Sequence, residues 1–494
     1  MDDSPNDSAA RQAWVGPARP GERVRLLMVI NKAERELEVL NNVARELRAI
    51  ARDSRVLILE YRDQNFFAKA LQFEPSAVLI FPLTSRGLSL PLYALKLALD
   101  CRIITLQAEG IVNYRDDSCY RYYAGMDSYG PDLIDLQMMW SQTLAHKIGG
   151  LLLESGRIAS LRRVIGVGYP KIEAYLGGRE LEQTPSPATA DFLERASGRP
   201  REGVLFFATG FSLGEYSVED LINAKDIFDG EGINQVQRDD AQRAVTASRN
   251  FRDRFVAILD DLAPRHPEVM FVIKSHPVEN ILYKRKKYNP YHALLRHLNV
   301  AYYDDTMSIK TVLLHSGIIF HFGSSLVSES YLAKTPSVFV ESSEFFPKDR
   351  MSHNPNFNMH DMGWPSSAVC DLEELAGLVD EHCRRPLKFF LNEVMAQRLE
   401  DGFDVLPEHL RGEKAYRPLR RIAEAIIRGH RSPALACRPQ DAALVADLKK
   451  QYFPAIMAYL ALAIERSSQT NRPDKAQDYL KKVKQLRGIF SRGS

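Results

Sequence analysis

Short apolar runs that stop abruptly at Gly, Ser or Pro constrain the fold of this chain more than any other feature. Three of them, separated by basic or amphipathic segments, cover residues 269–273, 317–322 and 337–340. The first stops at Lys274-Ser275-His276-Pro277 and the second at Gly323-Ser324-Ser325. Runs of this length that alternate with helical patterns are typical of buried parallel strands joined by crossover helices. Because such sheets bind ligands beyond the carboxyl ends of their strands, we expect an anion or nucleotide site here.

The amino-terminal part of the chain repeats this alternation. Strands are predicted at 24–30, 56–61, 77–81 and 102–106, and helices at 34–50, 66–71 and 88–99. The repeat predicts a doubly wound α/β domain of roughly 140 residues. A further helix over 133–155 and a short strand over 163–167 are predicted after it.

A second βα series starts at Val204 and includes a long polar helix at 239–262. Helical segments up to about 427 are expected to close this second Rossmann-like domain. The last two helical patterns, at 452–465 and 474–486, resemble a hairpin that cannot bury a core alone and should dock on the body or on a partner. The predicted division is a disordered amino terminus, a first domain, a linker, a second domain and a helical hairpin extension, at 1–22, 23–168, 169–203, 204–430 and 431–494.

Composition excludes several classes of protein. With 494 residues the chain is too long for one ordinary domain, and a net charge of +2 gives no overall signal for nucleic acid. Its 5 cysteines lie far apart without a CxxC pair, which argues against zinc and disulfides and fits a reducing cytosol. No apolar run approaches the about 18 residues that span a bilayer, so a cytoplasmic protein is expected. The basic cluster at 284–287 is either a solvated face or a contact with an anionic membrane or substrate.

His276 and Pro277 are candidate binding residues because they follow a predicted strand directly. Proline fixes its own φ angle and restricts the residue before it, so the histidine is held rigidly at the rim of the sheet. There it could donate to a phosphate oxygen or a ribose, with Lys274 adding positive charge. The alternative is a strand-terminating turn with a half-exposed histidine.

Gly323, Ser324 and Ser325 precede a predicted helix, where serine side chains and free backbone N–H groups can bind a phosphate. The alternative is a plain helix cap. Glu329 lies one turn further on and could accept from ribose hydroxyls, or it could simply complement the helix dipole. The turn that contains Gly210 and Ser212 could approach a phosphate or a sugar, although it matches no GxGxxG or P-loop pattern.

Glu109 lies at the end of the fourth predicted strand, in the first domain. If the two domains face each other, its carboxylate reaches the cleft opposite the nucleotide and suits a general base that deprotonates an acceptor hydroxyl. The alternative is a glutamate of a surface turn. No cluster of Asp, His or Cys has metal-ligand spacing, so no metal site is predicted.

Together, these motifs resemble those of bacterial sialyltransferase-like enzymes of the GT-B fold, which use CMP-activated sugars. The finer pattern resembles the family of bacterial surface carbohydrate biosynthesis proteins. LQAEGIV (106–112), VIGVGYPKIEAY (164–175) and FFATGFSLGEY (206–216) stand where that family has an acidic pair with Gly, a Gly-Asn-Pro-Arg-like turn and a Thr-Asn-Phe-like strand end. The resemblance is loose and covers about residues 24–346.

The resemblance implies two Rossmann-like domains that face a cleft, an acceptor domain followed by a nucleotide-sugar domain, with a helical extension at the carboxyl end. Glu109 becomes the general base, and His276, Ser324 and Ser325 become ligands of the CMP phosphate. The family's acidic pair is Ala108-Glu109 here, with one carboxylate. If the base belongs at the first position of that pair, Glu109 is the wrong residue and this assignment fails. Asp116, Asp117 and Asp127 are the next candidates for the base.

The function that this resemblance implies is an inverting, metal-independent glycosyltransferase. It would move a CMP-linked 2-keto acid sugar, a nonulosonic acid or Kdo, to a surface glycan, lipid-linked or protein acceptor, with no cofactor beyond the nucleotide sugar. A peripheral contact of the protein with the inner membrane would be compatible with this role. A polyol-phosphate transferase that uses CDP-glycerol is the enzymatic alternative. A non-catalytic assembly protein that keeps the fold is the other.

Overall fold

The computed structural model describes fourteen stretches of the chain. They are residues 23–30, 33–81, 86–107, 132–175, 185–219, 235–303, 307–324, 326–341, 366–389, 391, 393–405, 417–431, 442–470 and 472–491. The predicted amino-terminal segment 1–22 and the candidate base Glu109 lie outside them, as does Ser325.

A parallel sheet of six strands forms the centre of the first domain. Its strands are β1 (Arg25–Ile30), β2 (Arg55–Glu60), β3 (Ala77–Ile80), β4 (Arg102–Leu106), β5 (Leu136–Met139) and β6 (Val164–Gly166), in the spatial order β2-β1-β3-β4-β5-β6. The connecting helices are α1 (Ala33–Ile50), α2 (Phe66–Phe73), α3 (Arg86–Leu99) and α4 (Gln142–Glu154). Alternate residues of β1 face opposite cores: Leu27 and Val29 pack with α2 and α3, whereas Leu26 and Met28 pack with α1.

The helix predicted over 133–155 is in fact a strand followed by a helix. β5 is four residues long and fully buried, and its sequence LQMM has no β-branched residue to mark it as a strand. Ser141 then begins α4, because its hydroxyl accepts from the backbone N–H of Leu144 at 3.0 Å.

The second domain is built on another parallel sheet of six strands. These are β7 (Val204–Ala208), β8 (Met270–Lys274), β9 (Val300–Tyr303), β10 (Ile318–His321), β11 (Ser337–Glu341) and β12 (Ala368–Asp371), in the order β12-β11-β10-β7-β8-β9. The helices around it are α5 (Pro187–Ala196), α6 (Gln235–Arg265), α7 (Pro277–Lys286), α8 (Ile309–His315), α9 (Leu326–Leu332) and α10 (Leu375–Arg384). The prediction of two Rossmann-like domains is therefore confirmed.

Two later helices return to the first domain. α12 (Pro418–Arg431), which follows α11 (Glu393–Phe403), buries Ile422, Ala423 and Ile426 in the core beneath the first sheet. Arg417 also pairs with Glu46 of α1 at 3.0 Å. The segment was expected to close the second domain, so that assignment was wrong. Its apolar stripe fits any sheet face, and its sequence does not say which sheet it covers.

The carboxyl-terminal extension consists of α13 (Ala442–Gln451), α14 (Phe453–Gln469) and α15 (Pro473–Ser491). Leu448, Ile456 and Phe490 share one core with residues of α2 and α3, so the extension docks on the first domain. Tyr459 donates to Glu74 at 2.9 Å at the same interface. No helix in the described part of the chain combines the length and the apolarity needed to cross a lipid bilayer.

Gly317 directly precedes β10, and a substitution there would test how tightly the second sheet is packed. A β-carbon there would lie 2.4 Å from the Cα of Glu202 and 2.8 Å from the carbonyl oxygen of Arg201. We expect Gly317→Ala to lower the free energy of unfolding by about 1–3 kcal/mol, because the backbone must shift. Urea denaturation measures the change.

Gly377 of α10 is the matched control, since nothing lies within 4 Å of an added β-carbon there. Gly377→Ala should stabilise by up to about 1 kcal/mol, because alanine favours a helix interior. Equal effects of the two variants would contradict the close approach at Gly317.

Candidate functional site

The strand order of the second sheet predicts a crevice between two of its central strands. From β7 the chain runs outward through β8 and β9, and it then returns to the other side of β7 to add β10, β11 and β12. The crossover direction reverses between β7 and β10, so the connections that leave these two strands run in opposite directions. Doubly wound sheets bind their ligands at such a reversal.

The loops after β7, β8 and β10 meet at this crevice. Thr209 donates its backbone N–H to the carbonyl of Lys274 at 3.0 Å, which joins the ends of β7 and β8. A β-carbon on Gly210 would lie 3.4 Å from the carbonyl oxygen of Phe322, so the loop after β10 is equally close. The structure thus brings most of the candidate binding residues to one rim. Those that are half-exposed there are Gly210, Ser212, Lys274, His276, Pro277, Gly323 and Ser324.

His276 begins α7 as its capping residue, a role that the sequence pattern did not reveal. Pro277 occupies the first helical position, and the Nδ1 atom of His276 accepts from the backbone N–H of Val278 at 3.3 Å. A ring nitrogen that accepts this bond cannot carry a proton, so the neutral ring carries its proton on Nε2. The cap therefore sets the tautomer that can donate to an anion.

Ser324 is also a capping residue, as the plainer interpretation of the motif required. Its hydroxyl oxygen accepts from the backbone N–H of Leu326 at 3.2 Å. Gly323 has a φ of +86°, a conformation that side chains other than glycine rarely adopt. The chain can therefore turn sharply from β10 into α9 at the crevice.

Glu329 lies between the two domains instead of at the rim. One of its carboxylate oxygens accepts from the hydroxyl of Tyr169 at 2.9 Å and from Lys171 at 3.1 Å, and the other accepts from the hydroxyl of Tyr175 at 2.9 Å. Burial, reinforced by the Glu329 charge, raises the pKa of both tyrosines well above its usual value. These three partners follow β6, so the carboxyl edge of the first sheet contacts the helix that follows the crevice.

Apolar side chains reinforce the same contact between the domains. Trp140 directly follows β5, and its ring lies 4.7 Å from that of Tyr169. Both pack with Tyr331 of α9 and Phe403 of α11 in one buried cluster. The carboxyl edges of the two sheets are therefore joined by a packed interface as well as by hydrogen bonds.

Glu279 joins the loops that follow β7 and β8, and the sequence analysis did not single it out. Its carboxylate is fully buried and accepts from the hydroxyl of Thr209 at 2.6 Å, from the backbone N–H of His276 at 2.8 Å and from that of Phe211 at 3.1 Å. Burial raises the pKa of Glu279, whereas these hydrogen bonds oppose the rise. The available signal was its spacing, three residues after the capping His276, which is the spacing of a capping box.

The loop with Ser212 forms a short 3₁₀ helix, Ser212–Glu215, that is anchored on two neighbouring helices. Glu215 is buried and pairs with Arg252 of α6 and with Lys286 of α7. The hydroxyl of Ser248 donates to the carbonyl of Phe211 at 3.2 Å and accepts from the N–H of Gly214 at 3.0 Å. The loop is thus held firmly against the second domain.

A histidine at the end of β10 is buried, and the candidate bases lie outside the described residues. His321 is fully buried, its Nε2 lies 2.7 Å from the hydroxyl of Ser366, and burial lowers its pKa to about 3, so it stays neutral. Glu109 and the alternatives Asp116, Asp117 and Asp127 lie outside the described residues. The last described residue before them is Gln107, whose side chain accepts from the backbone N–H of Trp140 at 2.7 Å.

Comparisons with known proteins give structural neighbours but no family. No protein-family model matches the sequence, and the curated proteins contain no match. Among solved structures, the UDP-GlcNAc 2-epimerase from Neisseria meningitidis bound to UDP-GlcNAc is 13% identical, with a TM-score of 0.44 over 79% of this chain and 98% of that chain. The wall teichoic acid polymerase TagF is 8% identical, with a TM-score of 0.45 over 83% of this chain and 90% of that one.

A further neighbour is the S. aureus MnaA–UDP co-structure, which is 9% identical, with a TM-score of 0.42 over 77% of this chain and 91% of that chain. None of these three neighbours is described as binding a CMP-sugar. Similarity of this extent concerns the fold and assigns no substrate to this chain.

The capping role of His276 can be tested by stability alone. His276→Ala should lower the free energy of unfolding by about 0.5–2 kcal/mol, because a helix loses its cap. His276→Asn should cost much less, since asparagine is among the best capping residues. Urea titrations of both variants give the comparison. If the two lose equal stability, the ring contributes through packing and not through its Nδ1 acceptor.

Proposed function

We propose that this protein is a transferase that moves a sugar or a polyol phosphate from a nucleotide-activated donor. The observation that carries the proposal is the meeting of three strand-end loops at the reversal between β7 and β10, with Lys274, His276, Gly323 and Ser324 on one rim. A site of that position and composition suits the phosphate of a nucleotide.

The chemistry follows from the donors on this rim. In group transfer from a nucleotide, negative charge develops on the leaving phosphate, and fixed donors that point at that charge lower the barrier. His276 presents Nε2–H because its Nδ1 is used as the helix cap, and Lys274 at the end of β8 adds positive charge nearby. A glycine in the loop after β10 lets the backbone approach the ligand closely.

The first domain would supply the acceptor side of the reaction. Glu109 would take the proton of the acceptor hydroxyl while the acceptor oxygen forms its bond to the transferred group. The bond between that group and the nucleotide phosphate breaks in the same step. Tyr169 and Tyr175 of the segment after β6 bond to Glu329 of the second domain, which supports an arrangement in which the first sheet's carboxyl edge faces the donor. This assignment remains a proposal, with Asp116, Asp117 and Asp127 as alternatives.

The donor class we favour is a CMP-linked 2-keto acid sugar, and this choice rests on the motif resemblance alone. CDP-glycerol is the alternative donor. Both donors carry cytidine, so a preference for cytosine nucleotides is expected for either donor. A non-catalytic protein with the same fold would bind a nucleotide without turning it over.

Nucleotide binding is the first test of the proposal. CMP or CDP should raise the melting temperature more than UDP or GDP, because the proposed donor carries cytidine. A ligand that binds only the folded state stabilises it by about 2.7 kcal/mol at 100 times its Kd. His276→Asn keeps the cap and should weaken binding about tenfold or more, through the loss of a hydrogen bond to a charged phosphate. Unchanged affinity in this variant would refute the rim as the phosphate site. Stronger binding of UDP would refute the cytidine donor but not the location of the phosphate site.

Turnover is the second test, and it separates an enzyme from a binding protein. Glu109→Gln should reduce transfer by about 100- to 10,000-fold, because the amide cannot take a proton, while nucleotide affinity stays nearly intact. The measurement is turnover of a CMP-sugar donor beside a CMP binding isotherm. If the loss is below about tenfold, the base is another residue, and Asp116→Asn, Asp117→Asn and Asp127→Asn are the next variants.

A further inference from the structure

One buried carboxylate joins the two loops that form the β7–β8 side of the crevice. Glu279 accepts five hydrogen bonds: from Thr209, His276 and Phe211, as described above, and from the hydroxyls of Tyr283 and Tyr291, both at 3.2 Å. The donors belong to the loop after β7, the loop after β8, α7 itself and the segment before β9. Glu279 therefore fixes these elements relative to one another.

The direction of the backbone donors matters for the crevice. The N–H groups of His276 and Phe211 both point inward at Glu279. In a glycine-rich phosphate loop such groups would cradle the anion directly. Here these two amides are occupied, so the group that His276 can offer to an anion is its side chain.

The two carboxylate oxygens have separate tasks. Oε2 accepts from the hydroxyl of Thr209 and from the N–H of His276, which locks the start of α7 to the end of β7. Oε1 accepts from Phe211 and from the two tyrosines. Because the backbone of His276 is held through Oε2 and its ring through the Val278 cap, the imidazole has little freedom to turn away from the crevice.

We infer that Glu279 is a positioning residue that aims the His276 imidazole at the phosphate of the donor nucleotide. This inference rests on the proposed function for the identity of the ligand, but not for the geometry. Glu279 itself is fully buried and acts on the anion only through His276 and the two loops. It would therefore influence nucleotide affinity without contacting the nucleotide.

Glu279→Gln is the informative variant because it keeps the size of the side chain and changes one oxygen to a donor. The N–H groups of His276 and Phe211 bond to different oxygens, so the new amide nitrogen must face one of them. We expect the affinity for CDP, measured by calorimetry, to fall about tenfold.

A double-mutant cycle separates positioning from general damage. If Glu279 acts through His276, Glu279→Gln should change the CDP affinity little in a His276→Asn background, since the effects of coupled residues are not additive. Additive losses would overturn the inference. Thr209→Val removes a donor from the same Oε2 and should show a smaller loss with the same dependence on His276. It serves in place of Glu279→Gln if that variant does not fold.

Asn299 supplies the stability control. Its side-chain amide donates to the carbonyls of Ala263, His266 and Val269, each at 2.9 Å, at the amino end of β8. Asn299→Ala should destabilise the same domain and leave CDP affinity unchanged. An equal loss of affinity in this control would show that instability, and not the aim of His276, weakens binding.

A measurement without ligand keeps the inference testable if the proposed function is wrong. The ¹⁵N signals of the His276 ring should report a proton on Nε2 in the native protein and a mixture of tautomers in Glu279→Gln. Failure of every nucleotide to bind would remove the proposed function, while the altered ring signal would still support the positioning role. Identical ring signals in the two proteins would overturn it.

Discussion

Every strand that the structure describes runs parallel to its sheet neighbours, and the site depends on that constraint. Parallel strands place all their carboxyl ends at one edge, so residues that are far apart in the sequence meet without any special loop. Gly210, His276 and Ser324 follow three different strands of one sheet. The reversal at β7 separates the crossover connections and leaves room where these residues converge.

The two domains are joined by polar and apolar contacts at the same edges. Glu329 lies in the helix that leaves the crevice, and its partners Tyr169, Lys171 and Tyr175 leave the last strand of the other sheet. Removing one of these four side chains would leave buried polar groups without hydrogen-bond partners. That costs more free energy than a hydrogen bond contributes. A ligand that moved α9 would therefore also shift contacts between the domains, because α9 carries both Tyr331 of the apolar cluster and Glu329.

The sequence predicted most of the βα alternation, because buried parallel strands are short apolar runs with clear stops. The run that ends at Lys274 is one of them, and the structure places β8 there. It did not predict β5, whose four residues lack β-branching, or the sheet on which α12 packs. A strand signal is local, whereas the choice of a packing partner depends on residues that are distant in the chain.

The site was predictable to the extent that it depends on strand ends. His276 and Ser324 were found as residues after strands, but the capping role of His276 was not, since histidine is an uncommon cap. Glu279 was missed because a buried acid in a helix looks like any first-turn acid. Its importance comes from Phe211 and Thr209, which lie far upstream in the sequence and reach it only once both strands are paired.

The return of α12 to α15 to the first sheet has a consequence for synthesis. As the nascent chain emerges, the first sheet lacks Ile422 and Ile426 on one side and Leu448, Ile456 and Phe490 on the other until the segments 418–431 and 442–491 have been synthesised. Its apolar faces stay open during that time and need protection from aggregation. The second domain, from α5 to α10, is uninterrupted and can close as soon as it is made. Of the two domains, the one that is synthesised first is thus the one that is completed last.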